Sequence, residues 1–310
     1  MRNITLKQFR YFIAVAETSS VAAAARMVNI AQSAITKSIL ELEEEVDTKL
    51  FDRLPKGMQL TPDGHRFLVS ARKVLSAVTD AATLLKATPK GLSGKLSIGV
   101  TSLVAGYYLS EFVSRFRRTC PDVEIQLIEE TPQFLEHLLI NGEVDVAIML
   151  TNLLAEPQAL ASETLTRSDI RVWMAANHPL TEVSEVTLQD CSAYDLVLLQ
   201  ADRIDDLLRS MWDRRNISPK VLMRTSSLEA ARSLVGQGAG LAILPDFLYR
   251  PWTLDAEHVD VRNLREAVST VDVGLVWRRG SKIKATALEF LETAREHTRP
   301  RRVSGGAGYN

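Results

Sequence analysis

The sequence predicts an α+β chain of several domains: a small helical head with a two-stranded wing, a long connecting helix, and a larger α/β body of two subdomains. Three observations predict it. Apolar residues recur at helical spacing through the first 50 residues and again from Phe67 to Leu85. From Leu96 onward, short β-type runs alternate with helical stretches, the pattern of sheets covered by helices. The length, 310 residues, is about twice that of one ordinary domain, and 46% hydrophobic residues supply apolar material for separate cores.

The head opens with a helix in which Leu6, Phe9, Tyr11, Phe12, Ile13, Val15 and Ala16 share a buried face. Ser19 or Ser20 interrupts the run and caps a second helix. Its side chains, Val21 and Ala22 to Ala25, are small enough to let a neighbouring helix approach closely. Asn29 suits the left-handed turn that ends such a helix. A third helix opens near Gln32, with Ile35, Ile39, Leu42 and Val46 as its apolar stripe. Gln32, Ser33, Thr36 and Lys37 lie away from that stripe, in the first turns, where free amides and the helix dipole favour a phosphate.

After Phe51, Pro55 and Gly57 forbid a helix, and Arg53 and Lys56 flank Pro55; the stretch to Leu60 suits a wing of two strands. Thr61 as cap and Pro62 at the first position start the connecting helix, which runs to about Lys86. Its seam of Phe67, Leu68, Ala71, Val74, Leu75, Val78, Ala81, Ala82 and Leu85 either pairs with its own copy or packs on its own domain. Residues 88–94, rich in Pro and Gly, read as a hinge.

In the body, strands are expected at 96–100, 123–128, 144–150, 195–200, 221–224, 240–244 and 271–277. Helices are expected at 107–118, 133–141, 204–214, 228–236 and 282–297. Alternation of this kind implies parallel strands. The expected organisation is a head at 1–60, a linker at 61–90 and a body at 91–300. Within the body, 91–165 with 269–300 form one subdomain and 166–268 the other, and 301–310 form a disordered tail.

Charge narrows the function. The net charge is −1, so any nucleic-acid surface must be local. Residues 1–40 hold five Lys or Arg and one acid, and then Glu41, Glu43, Glu44, Glu45 and Asp47 follow within seven residues. No apolar run is long enough to span a bilayer and no signal-peptide core opens the chain, so the expected compartment is the cytoplasm and no membrane partner is expected. Cys120 and Cys191 read as reduced thiols; a redox role would need a lowered pKa and access to solvent.

Residues 6–64 resemble the DNA-binding head of LysR-type transcriptional regulators. The matching pieces are Phe9-Arg10-Tyr11-Phe12, Ala22 to Ala25, Gln32 to Lys37, Leu42-Glu43-Glu44-Glu45, Leu50-Phe51-Asp52-Arg53 and Leu60-Thr61-Pro62-Asp63-Gly64. The later run Gly238-Ala239-Gly240-Leu241-Ala242-Ile243-Leu244-Pro245 resembles the family's effector domain, and the likeness extends to about residue 298. Ala31, Ser33 and Asp47 depart from the Ser, Pro and Gly usual at these places. The resemblance implies a winged helix-turn-helix, a linker helix and a body like a periplasmic binding protein. Gln32, Ser33, Thr36 and Lys37 would enter the major groove, with Arg53 and Lys56 on phosphates. It also implies a pseudo-palindromic duplex as partner, a homodimer or homotetramer, contact with RNA polymerase, and a small effector held between the subdomains. No cofactor and no metal is expected.

Loops at strand carboxyl ends are where open α/β sheets bind ligands. Here they carry Thr101, Ser102 and Thr131 in one subdomain, and Gln200, Asp202, Thr225 and Ser226 in the other. Hydroxyls beside helix amides suit a carboxylate or another small anion, though plain helix caps look the same. An enzyme is the rival class. The Gly-rich run at 236–240 follows a helix and precedes a strand, the reverse of a dinucleotide fingerprint, and no Walker A sequence or nucleophile elbow is present. The five histidines are scattered, without metal-ligand spacing. A solute-binding protein, the second rival, would need an export signal and no basic head.

Overall fold

The computed structural model describes residues 4–54, 57–83, 91–265 and 270–298. Lys56, the end of the connecting helix with the first three residues of the hinge (84–90), and the tail expected at 301–310 lie outside them. The chain divides into two compact units, Met1–Thr88 and Pro89–Asn310.

The first unit begins with helix α1 (Leu6–Thr18), entered through a reciprocal cap. The Thr5 side chain accepts from the Gln8 amide, while the Gln8 side chain accepts from the Thr5 amide. Phe12 and Val15 are fully buried, whereas Leu6, expected on the buried face, is 39% exposed. Ser19 ends α1 in the left-handed region, and Ser20 caps α2 (Val21–Val28) by accepting from the Ala23 amide. Asn29 takes the left-handed turn at the end of α2. Ala24 and Ala25 face the core of this unit, where a larger side chain would push its neighbours apart. Helix α3 (Gln32–Val46) buries Ile35, Ser38, Ile39 and Leu42.

Strands β1 (Phe51–Leu54) and β2 (Gly57–Leu60) pair antiparallel from Phe51 against Leu60 to Leu54 against Gly57. Thr61 then caps α4 (Pro62–Thr83) by accepting from the Gly64 amide at 2.9 Å. Gly64 is required there. A β-carbon on it would lie 2.1 Å from the Leu50 carbonyl oxygen, so any larger residue would force α4 off the wing. Phe67 on α4 stacks against Phe9 and meets Phe12 edge-on, and Ala71 is fully buried; these contacts fix the first half of α4 on α1.

The second unit holds two sheets. In the first lobe the order is β4-β3-β5-β13-β6, built from β3 (Gly94–Val100), β4 (Val123–Glu129), β5 (Val146–Leu150), β6 (Leu160–Ser168) and β13 (Val271–Arg278). In the second lobe the order is β11-β7-β12-β8, from β7 (Ile170–Ala175), β8 (Glu185–Val186), β11 (Ala242–Pro245) and β12 (Val259–Leu264). The parallel pair β9 (Asp195–Leu199) and β10 (Lys220–Thr225) joins this sheet through a bridge between Leu196 and Leu241. β3, β4 and β5 are parallel, but β13 runs antiparallel to both β5 and β6, and β7 antiparallel to β11 and β12. The all-parallel expectation is therefore corrected: the sheets are mixed. The chain crosses between lobes at Asp169 and again between Leu264 and Val271.

The helices are α7 (Pro132–Asn141), α8 (Leu188–Cys191), α9 (Ile204–Asp213), α10 (Leu228–Gly236) and α11 (Ala285–Thr298), together with one that breaks its own geometry. The helix expected from residue 107 starts earlier, as α5 (Ser102–Val104). It widens into a π-helical segment (Ala105–Leu109) and continues as α6 (Ser110–Thr119). Strands β6, β7, β8 and β12 go beyond the sequence reading. One hydrophobic cluster runs through both lobes, from Ile98, Ile148 and Phe290 to Trp173, Leu199 and Leu244.

Candidate nucleic-acid interface and ligand cleft

The α3 helix presents two unlike sides. Its apolar side is packed in the core of the first unit, with Ile35 and Leu42 fully buried. On the other side Gln32, Ser33 and Lys37 are exposed and Thr36 is half-buried. The Lys37 ammonium lies 3.7 Å from the Glu41 carboxylate, with 79% of the Lys37 side chain in solvent. An exposed pair one turn apart contributes only about 0.3–0.5 kcal/mol, so Lys37 is readily recruited by a phosphate. Arg53 is exposed on β1. Lys56 falls outside the described residues.

The amino end of α3 carries no side-chain cap. Ala31 has extended geometry and no hydroxyl to offer, and Ser33 does not supply the missing bond. The acidic run finds structural employment instead. Glu43 Oε1 accepts from the amides of Leu50 at 2.7 Å and Phe51 at 3.0 Å, tying the end of α3 to the first wing strand. Asp47 takes the left-handed conformation usual for glycine, and its amide donates to the Glu43 and Glu44 carbonyls.

In the second unit the lobes meet where the strand ends converge. Thr101 follows β3 and is fully buried; its hydroxyl donates to Asp202 Oδ2 at 2.5 Å. Asp202 is 5% exposed and in the left-handed region. Burial drives its pKa up to about 6, partly offset by bonds from Thr101 and from the Leu103 amide, while Glu129 pushes it further up. These two residues therefore hold one another. Ser102 and Thr131 are exposed, and Thr131 begins α7 with its hydroxyl uncommitted to a cap. Across the gap, the Gln200 backbone N–H donates to the Thr225 carbonyl at 2.7 Å, and Thr225 Oγ1 accepts from the Ser227 backbone N–H at 3.0 Å. Ser226 is exposed; Ser227, beside it, caps α10.

Three residues not picked out from the sequence also join the lobes. Arg203, next to Asp202, donates to the Leu153 carbonyl at 2.8 Å. The Tyr107 hydroxyl, in the π-helical segment, donates to the Leu248 carbonyl at 3.2 Å and accepts from Arg232 at 3.0 Å. Tyr107 also meets Phe247 edge-on. Their signal was weak in sequence because each partner lies 50 or more positions away.

A separate open groove of about 480 Å³ lies on the first lobe, lined by Ala105, Leu109, Val113, Arg117 and Leu127 among others. It shares no residue with the cleft. Both cysteines are buried and neither is in a disulfide, and burial pushes the Cys120 thiol up, opposite to what a reactive thiolate requires. Among the described residues no helix is long and apolar enough to cross a membrane, and no group of His, Cys, Asp and Glu could hold a metal ion.

Comparison with known proteins places these features in company. Residues 6–65 match the model of the bacterial regulatory helix-turn-helix protein, lysR family, and residues 89–299 match that of the LysR substrate binding domain. The chain is 30% identical over 295 residues to the uncharacterized HTH-type transcriptional regulator YwqM of Bacillus subtilis (strain 168), covering 94% of this chain and 98% of that one. It is 29% identical to the uncharacterized HTH-type transcriptional regulator YnfL of Escherichia coli (strain K12), covering 93% and 97%. Among solved structures, HinK, a LysR family transcriptional regulator from Pseudomonas aeruginosa, aligns with a TM-score of 0.61 at 26% identity, covering 96% and 99%.

Proposed function

The chain belongs to the LysR family of transcriptional regulators, DNA-binding proteins with an effector-binding domain and not enzymes; from that premise we propose that it reads a specific operator with α3 under control of a small effector. The observation that carries the reading is the free polar side of α3. Gln32, Ser33 and Lys37 are exposed and Thr36 half-buried beside them, with the chemistry needed to meet base edges and phosphates. Arg53 and Lys56 on the wing then hold phosphates. Residues 1–60 bind DNA, 61–90 link, and 91–300 sense the effector in the cytoplasm. Within the sensor, 91–165 with 269–300 face 166–268.

The effector occupies the cleft at Thr101, Ser102, Thr131, Gln200, Asp202, Thr225 and Ser226. Exposed hydroxyls at Ser102, Thr131 and Ser226, near helix amino ends, favour a small organic anion. The Asp202 carboxylate, tied to Thr101, directs the anion's charge toward Thr131 and Ser226 instead. Self-association as a homodimer or homotetramer matches two of the outer strands. β4 exposes Leu127, and β10 exposes Leu222 and Met223, apolar edges of the kind a second copy covers. Two α3 helices in such an assembly read a pseudo-palindrome about one DNA turn apart, and the bound protein engages RNA polymerase.

The test is duplex binding across a salt series. Lys37→Ala and Arg53→Ala each weaken binding and each lower the slope of log affinity against log salt by about 1. Unchanged affinity and slope in both variants would refute this assignment of the surface.

A further inference from the structure

The groove-facing side of α3 carries one residue that can neither donate nor accept a hydrogen bond. Ile35, Ile39 and Leu42 are 0%, 3% and 0% exposed, yet Leu40 is 43% exposed. At 3.6 residues per turn, Leu40 lies within about 20° of Ser33 and about 40° of Thr36 around the helix axis, and about 6 Å further along it than Thr36. It therefore continues the candidate recognition surface by one turn. A single exposed leucine elsewhere needs no explanation. Here it sits in the middle of a face whose other members are polar or small.

The acids set how deep that face reaches. Glu41 and Glu44 are exposed just beyond Leu40, and carboxylates are repelled by a phosphate-lined groove. The amino-terminal turns enter and the acidic end stays out, which makes Leu40 the last side chain inside. Base edges in the major groove offer a leucine one apolar partner, the C5-methyl of thymine.

We propose that Leu40 is a specificity-determining residue that packs on a thymine methyl, so that one A·T pair of each half-site is read by desolvation and not by hydrogen bonding. The proposal rests on the reading of α3 as the helix that enters the groove.

The experiment uses the full chain and a duplex that it selects from a random pool. Each thymine is replaced in turn by deoxyuridine, which removes only the methyl, and binding is followed by fluorescence anisotropy. At one position per half-site the native chain loses roughly four-fold in affinity, the factor one buried methyl represents. Leu40→Ala binds the thymine and uracil forms of that duplex equally, and Leu40→Gln does the same. Both substitutions lie on an exposed side chain, and circular dichroism verifies the fold. The proposal is overturned if the native chain is indifferent to every replacement, or if both variants keep the preference for thymine. Failure to select any duplex would instead bring down the DNA-reading function, and this inference with it.

Discussion

Asp202 binds its proton more tightly in the folded chain than in the unfolded one, because burial beside Thr101 lifts its pKa from the ordinary 3.8 to about 6. The stabilisation this gives is complete below pH 4 and is lost as pH rises through about 6. The chain should therefore lose up to roughly 3 kcal/mol between pH 4 and pH 7 from this group. Asp202→Asn keeps an acceptor for Thr101 and tolerates the left-handed backbone. The variant should be more stable at pH 7 and lack this part of the pH dependence, as urea denaturation at a series of pH values will show; an unchanged slope would remove Asp202 from the account. At this scale the sequence was legible on α3 and hardly at all in the cleft. Gln32, Ser33, Thr36 and Lys37 separate from the apolar stripe by periodicity alone. Thr101 and Asp202 were each picked out as ligand contacts, but their bond to one another spans 101 positions and has no local pattern.

Helices were legible because their faces repeat within a few residues. α1 to α3, α7, α9 and α10 begin within one residue of where capping and periodicity put them, whereas α5 opens five residues earlier than the expected helix. The strands β6 and β12 were not legible. β6 sits at the edge of its sheet and alternates half-buried residues with polar ones in Leu160–Ser168, so no apolar run announces it. Nor does any rule of spacing foresee a π-helical turn, here the one that carries Tyr107, whose partners lie in the other lobe. The unfilled cap of α3 gives a prediction at the level of the element. Ala31 already has the extended backbone of a capping residue, φ −67° and ψ 140°. Ala31→Ser should place a hydroxyl within reach of the amides of the first turn and stabilise the first unit by about 1 kcal/mol. Urea denaturation followed by circular dichroism measures it, and no gain would mean that those amides are already satisfied.

Over the whole molecule, sequence alternation indicated two subdomains but not the direction of every strand, because strand order and direction depend on long crossovers. Exposed apolar residues on the outer strands give the prediction at this scale. Sedimentation should find a multiple of 34.4 kDa, and the pair Leu222→Lys and Met223→Lys on β10 should shift it toward smaller species. A native chain that sediments at 34.4 kDa would exclude the assembly. The position of β13 has a consequence for biosynthesis. That strand sits between β5 and β6, yet about a hundred residues, the whole second lobe among them, leave the ribosome before it does. While translation proceeds, β5 and β6 wait with bare polar edges, and the lobe begun first is the one finished last. Unpaired strand edges of this kind make an incompletely folded chain prone to aggregate.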